Sequence, residues 1–354
     1  AAIAGGDAAR AVMVSRLTGG DPMGAFQFNH GRQAEELIEA GLLRDITDIA
    51  EAEGWTDIIN PPSLLESCTV DGRIYCAPVN IHSWQWLWLS HKAYDDAGLD
   101  VPTNWDEYVA SASALNDAGK LPLAMGQQGW QQRGLFNTLF AALVPNEVFL
   151  AVYDDKDADV AAGADVARVF AAAADAREMA SNSTVQNWND ATNLVITGQA
   201  GGQIMGDWAQ GEFAVAEQVA GTDYSCLPGL GVTELLSTGG DAFYFPVLTD
   251  EAQIAAQSEL AALMLRPDTQ VAFNLAKGSL PIRGDIDLAA ANGCMQKGLA
   301  ILENPENVLP SSEQTFTGDT QGEFEDLWVS FFNDSSISVE DAQARYVEIV
   351  ANAD

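Results

Sequence analysis

The run Pro78-Val79-Asn80-Ile81-His82-Ser83-Trp84-Gln85-Trp86-Leu87-Trp88 packs β-branched and aromatic residues together, the composition of a strand, and sets side-chain amides among the rings. Two more stretches repeat the mixture: Gln127-Gln128-Gly129-Trp130-Gln131-Gln132 and Gly206-Asp207-Trp208-Ala209-Gln210-Gly211-Glu212. A sugar presents an apolar C–H face and a rim of hydroxyls. A site for one therefore needs a flat ring over the face and planar amides or carboxylates along the rim. Taken singly, each tryptophan is an ordinary core residue. The amides beside them make these stretches candidates for ligand contact.

Outward from that run, helices alternate with short strands. Residues 32–40 read as a helix closed by Gly41, and 74–89 as strand-rich. Thr103 is expected to cap a helix whose first turn carries Asp106 and Glu107, where the helix dipole favours carboxylates. An alanine-rich helix is expected over 160–180, with Val166, Val169 and Phe170 on one side. A Gly-rich turn separates Leu194-Val195-Ile196 from Gly202-Gln203-Ile204-Met205, and a helix follows from Trp208 to Val219. Phe243 to Val247 reads as a buried strand, Glu251 to Leu265 as a helix stopped before Pro267, and the C-terminal third as helical. The class is α/β. At 354 residues and 47% hydrophobic, the chain is long for one core, so two lobes are expected.

Charge excludes several partners. The sequence holds 51 acidic and 16 basic side chains, a net charge of −35, which repels phosphate backbones and anionic lipid. Nucleic acid and membrane surfaces are therefore not expected partners. No apolar run reaches bilayer length, so no direct membrane insertion is expected. The opening Ala1-Ala2-Ile3-Ala4-Gly5-Gly6 has no basic segment followed by an apolar one, and any signal peptide is expected to have been removed or left out. The acidity fits a salty exterior, where the Debye length falls to about 4 Å.

The cysteines fall into two pairs. Cys68 and Cys76 flank an Asp71-Gly72 turn signal. A two-residue turn would set Cys76 opposite Ser67, whereas a three-residue loop with a bulge sets Cys68 opposite Cys76, and the longer loop is the expectation. Cys226 and Cys294 would close a long loop, worth about 4 kcal/mol in the chain-entropy account. An even count without C-x-x-C suggests an oxidising compartment.

Catalytic and cofactor motifs are missing. There is no P-loop, G-x-G-x-x-G, G-x-S-x-G or H-E-x-x-H, and His30, His82 and His91 lack zinc spacing. Asp155-Lys156-Asp157-Ala158-Asp159 imitates half of an EF-hand loop, but Val160 stands where glycine must turn and Val166 where the bidentate Glu belongs. No metal and no cofactor are expected. The acidic residues supply many possible carboxylate pairs and nothing marks one of them.

The run from Ala77 to Trp88, then Pro102-Thr103-Asn104-Trp105-Asp106-Glu107, Gly206-Asp207-Trp208-Ala209-Gln210-Gly211-Glu212-Phe213 and Lys277-Gly278-Ser279-Leu280-Pro281-Ile282-Arg283, resembles in order and spacing the extracellular solute-binding proteins of bacterial carbohydrate ABC importers, the glucose-type binding proteins in particular. The resemblance implies a two-lobed, periplasmic-binding-protein-like fold with a hinge and an interlobe ligand cleft. One lobe would comprise residues 1–100 and 241–284, the other 101–240 and 285–354. It implies that Trp208 stacks on the sugar, that Asp241 and Lys277 grip hydroxyls, and that Gln27 and Asn29 line the site. His82 and Gln85 lie in the hinge strand, whose tryptophans are expected in the core. Gln128, Trp130 and Gln131 lie near a strand end, where ligands of α/β sheets bind.

Two features depart from the family pattern. The chain starts at what looks like the family's second strand, without the first βα unit that carries a Trp-Trp pair in relatives. Gln314 stands roughly where relatives place a histidine, and Asn29 where a relative has lysine, so the resemblance does not fix glucose as the ligand. The expected function is that of an exported, monomeric binding protein, periplasmic or otherwise extracytoplasmic. It would capture a mono- or small oligosaccharide and deliver it to ABC permease subunits, without enzymatic chemistry. The alternatives are a glycoside hydrolase or related carbohydrate enzyme, and a binding protein for a polyol or other non-sugar solute.

Overall fold

The structure, a computed structural model, describes residues 6–354; residues 1–5, read above for a targeting segment, lie outside them. The described residues form two compact units, one running to His82 and including Thr238–Ala290, the other Ser83–Ser237 with Ala291–Asp354. The first crossing thus falls at 82/83 and not at residue 100. The reason is pairing: Trp86–Ser90 joins strands Ala200–Ile204 and Tyr224–Pro228, which belong to the second unit.

The first unit is built on a three-stranded antiparallel sheet in the order Phe26–Asn29, Asp241–Tyr244, Cys76–Pro78, so the strand latest in sequence sits in the middle. Phe26 stacks on Tyr244 with ring centroids 5.7 Å apart, and Met13, Leu17, Ala34 and Leu43 close the core beneath. The helix Pro267–Lys277 opens with proline at its first turn and stops at Gly278, whose φ of 83° is the left-handed cap that glycine adopts without strain. Lys277 is therefore the last helical residue, where a cation is favoured.

The second unit holds a four-stranded sheet in the order Leu121–Leu123, Ala200–Ile204, Trp86–Ser90, Tyr224–Pro228, its first pair parallel and the others antiparallel. Helix Gly129–Leu143 packs on Gly318–Asn333, with Phe136 stacked on Trp328 at 3.7 Å. Trp86 and Trp88 are fully buried in a second cluster with Phe213 and Tyr224. No helix among the described residues is long and apolar enough to cross a membrane.

Several local expectations shift. The cap of helix Trp105–Asp117 is Asn104, whose side chain accepts from the Glu107 amide at 3.0 Å, while Glu107 in turn accepts from the Thr103 amide and hydroxyl at 2.8 Å. The helix expected over 160–180 is two, Ala158–Ala161 and Ala164–Met179, separated at Gly163, whose extended backbone ends one and starts the next. The helix after Trp208 is short, Ala209–Val215.

Both expected disulfides form, Cys68–Cys76 and Cys226–Cys294. The first does so from the other register. Asp71 (φ 50°) and Gly72 (φ 74°) make a two-residue turn that pairs Val70 with Arg73 and Thr69 with Ile74, the type in which Asp-Gly is preferred. Cys76 is thus diagonal to Cys68, with Cα atoms 5.1 Å apart, within bridging distance. Alkylation of the native protein under denaturing conditions without reductant is expected to label no cysteine, and all four after reduction. Labelling before reduction would remove the bridges from the account.

Candidate functional site

Each unit carries one cluster in which expected site residues meet. In the first unit the centre is Asp241, which opens the middle strand of the sheet. Register places Asn29 directly opposite Asp241, so Gln27, Asn29 and Asp241 share one sheet face. The Asp241 side chain is 7% exposed. Its Oδ2 accepts from Lys277 Nζ at 2.6 Å and from Asn80 Nδ2 at 2.9 Å, and lies 2.9 Å from His82 Nε2. Gln27 Nε2 donates to Oδ1. Asn80 is held in turn: its Oδ1 accepts from the Asp241 amide at 2.7 Å, and its Nδ2 lies 3.2 Å from Ser279 Oγ.

Burial alone would raise the Asp241 pKa, but the charges of His82 and Lys277 and their hydrogen bonds outweigh it and hold the carboxyl far below the usual carboxylate range. The result is a fixed carboxylate edged by amide, imidazole and ammonium groups, the donors and acceptors that a ring of hydroxyls can exchange with. The Lys277 side chain is partly solvated, 35% exposed. Asn80 and Ser279, fully buried, were not singled out in the sequence, although both lie inside motifs quoted for their neighbours. The Asn29 side chain shares the face; its backbone carbonyl accepts from Tyr244 Oη at 3.3 Å.

In the second unit three half-buried tryptophans converge. The Trp84 ring lies 4.9 Å from Trp208 at 88° and 5.8 Å from Trp130 at 67°, and Trp130 lies 6.4 Å from Trp208. Glycines let the rings lie close to the backbone. A Cβ on Gly206 would come within 2.1 Å of the Trp208 ring, and one on Gly134 within 2.3 Å of the Trp84 ring. Trp84 is thus the residue the sequence reading misplaced. The core placement expected for the tryptophans of its run holds for Trp86 and Trp88, while Trp84 precedes the strand and turns into this cluster.

The glutamines beside the rings act mainly as supports. Gln128 Oε1 accepts from Trp130 Nε1 at 3.1 Å and from Gln131 Nε2 at 2.7 Å, which fixes the Trp130 ring plane. Gln131, only 1% exposed, also donates to the Gln186 carbonyl, so it braces the cluster from behind. Gln314 Oε1 accepts from the Ser311 amide at 2.9 Å in a capping box of helix Ser312–Thr315. Asp207, buried, accepts from the Ser83 amide and hydroxyl at 3.1 Å each, tying the turn before Trp208 to the start of the Trp84 segment. No group of three or more His, Cys, Asp or Glu among the described residues could hold a metal ion.

Comparison with known proteins gives these clusters a setting. A probable sugar-binding periplasmic protein of Brucella melitensis is 35% identical over 298 residues, covering 84% of this chain and 70% of that protein. One of Rhizobium meliloti is 33% identical over 297 residues, with 83% and 70% covered. Among solved structures, a chitin oligosaccharide binding protein superposes with a TM-score of 0.77 over 97% of this chain and 86% of that one, at 19% identity, a likeness of fold. The sequence profile of the bacterial extracellular solute-binding proteins matches residues 2–281, from the start of the first unit, through the strands and tryptophans of the second, to the Lys277-Gly278-Ser279 turn, and this chain belongs to that family.

Proposed function

We propose that the protein is the extracytoplasmic binding subunit of a carbohydrate ABC importer. It takes a mono- or small oligosaccharide, leaves it chemically unchanged and delivers it to the membrane permease. The carrying observation is that one chain holds both a half-buried trio of indoles and a carboxylate kept charged and fixed by Gln27, Asn80, His82 and Lys277. The trio supplies apolar cover for a C–H face, with Trp208 as its main surface and Trp130 beside it. The carboxylate cluster supplies the grip on hydroxyls, Asp241 accepting and Lys277 donating, with Gln27 and Asn29 on the same sheet face. The names of the curated relatives support the choice of sugar over other solutes and a periplasmic place of work. The protein acts as a monomer after export and removal of its signal peptide.

A titration panel tests this: monosaccharides, disaccharides and the polyols mannitol and sorbitol, each read by calorimetry and by melting temperature. At least one sugar is expected to bind one-to-one and saturably, raising stability by about 2.7 kcal/mol at a hundredfold excess over Kd. Mass spectrometry should recover that sugar intact. A polyol that binds while every sugar fails, or a hydrolysed product, would overturn the reading.

A further inference from the structure

A pocket of about 30 Å³ opens in the second unit behind Trp84, walled by Trp84, Gln85, Asn137, Phe149, Ser237 and Glu313 among others. Its scale is that of one water or one small substituent, far below that of a sugar ring. Gln85 decides its chemistry. That side chain is 1% exposed; its Oε1 accepts from the Ser237 amide at 3.3 Å, while its Nε2 has no hydrogen-bond partner. The Ser237 N–H can only donate, so the orientation of the amide is fixed and Nε2 is left as the group with hydrogens to give. A buried donor without an acceptor is costly and marks a place where an oxygen belongs. Glu313, which also lines the pocket, can accept: its Oε1 is 3.2 Å from Arg133 Nη2 and its Oε2 accepts from Ser312 Oγ at 3.3 Å, which leaves lone pairs on both oxygens. Asn137, by contrast, is engaged at both ends, accepting from Tyr153 Oη and donating to Ser312 Oγ.

We propose that this pocket is a specificity subsite for the hydroxymethyl arm of a hexopyranose. Gln85 Nε2 donates to the arm's hydroxyl, Glu313 accepts from it, and Trp84 and Phe149 cover its methylene. Trp84 joins the subsite to the aromatic cluster, since the residue lines the pocket and its ring lies 4.9 Å from Trp208. The ligand class is thereby narrowed to hexoses and hexose-based oligosaccharides, against pentoses that lack the arm. This rests on the carbohydrate reading above and deepens it.

Calorimetry on the full chain with matched probes separates the two. The pairs are glucose and xylose, galactose and L-arabinose, cellobiose and xylobiose, with 6-deoxyglucose beside glucose. For the tightest hexose or hexose disaccharide, its armless partner is expected to bind at least tenfold more weakly, because a site built to hydrogen-bond a hydroxyl is left with unpaired groups when it is missing. Gln85→Leu should bring that ratio within about threefold while leaving the pentose affinity within threefold of wild type. Equal or tighter binding of the pentose partner by wild type overturns the subsite and leaves the carbohydrate reading standing, and it does so without any variant. A ratio unchanged in folded Gln85→Leu also overturns it. Binding by none of these sugars brings down the carbohydrate reading and the subsite with it.

Discussion

Asp241→Ala is expected to cost both the ligand and part of the fold. Four side chains from three segments, Gln27 from one, Asn80 and His82 from a second and Lys277 from a third, converge on this one carboxylate. Truncation takes the carboxylate away from the buried Asn80 and His82, and breaking one side of a buried charged cluster typically costs about 3–5 kcal/mol. Affinity for the sugar should fall by about 2 kcal/mol or more, roughly thirtyfold, because hydroxyls that Asp241 would accept from are left unpaired. The two losses separate experimentally: urea melts of the ligand-free protein read the first, calorimetry the second. Lys277→Met retains the aliphatic stem and removes the donor, and because Lys277 is partly solvated its loss should weaken binding while moving ligand-free stability little.

The same carboxyl sets a pH signature. Its pKa is depressed in the folded protein, so its contribution is complete above the unfolded value of about 3.9 and is lost progressively as pH falls below it. Wild type should lose stability on acidification below about pH 5 more steeply than Asp241→Ala does. Identical acid profiles in the two, or normal sugar binding by the variant, would remove Asp241 from the centre of the site.

Why Asp241, Lys277 and Gln27 could be named in advance while Asn80 and Ser279 could not is a matter of range. An aspartate at a strand start is unremarkable by itself, and only the spacing of family-like motifs singled it out. Asn80 reaches the cluster across a sequence separation of 161 residues from Asp241, and it meets Ser279 across 199, which no periodicity reports. The tryptophans of the hinge run, Trp84, Trp86 and Trp88, read alike as core residues. The strand begins only at Trp86, and the turn before it, anchored by Ser83 on Asp207, sends Trp84 elsewhere. Other signals were present and underused. Asp71-Gly72 favours the two-residue turn that forms, and Ser311-x-x-Gln314 is a capping-box pattern that assigns Gln314 to its own helix. The secondary-structure alternation and the cysteine pairs were legible because composition, caps and turns are local. The first crossing between units was not, because it depends on which strands pair with Trp86–Ser90.

Trp208 carries the other large effect. Its ring is half-buried, supported at its edge by Trp84 and held over Gly206, which leaves part of the indole as cover for an apolar face. Trp208→Ala removes that cover, and loss of an aromatic anchor commonly costs 2 kcal/mol or more, about thirtyfold in affinity. Ligand-free stability should fall less, by the edge contacts of about 0.5–1.5 kcal/mol each plus modest burial. Gly206→Ala tests position separately from presence. Its new Cβ would lie 2.1 Å from the ring, so the indole must move although no ring atom is lost. If the plane of Trp208 matters, Gly206→Ala should weaken sugar binding by about tenfold or more and change the tryptophan fluorescence of the ligand-free protein. A fluorescence change with unaltered affinity would mean that the ring moves without consequence for the ligand. Normal binding by both variants would transfer the stacking role to Trp130, whose indole nitrogen is already held by Gln128. Gln128→Ala should then be the variant that loosens the ring and weakens binding.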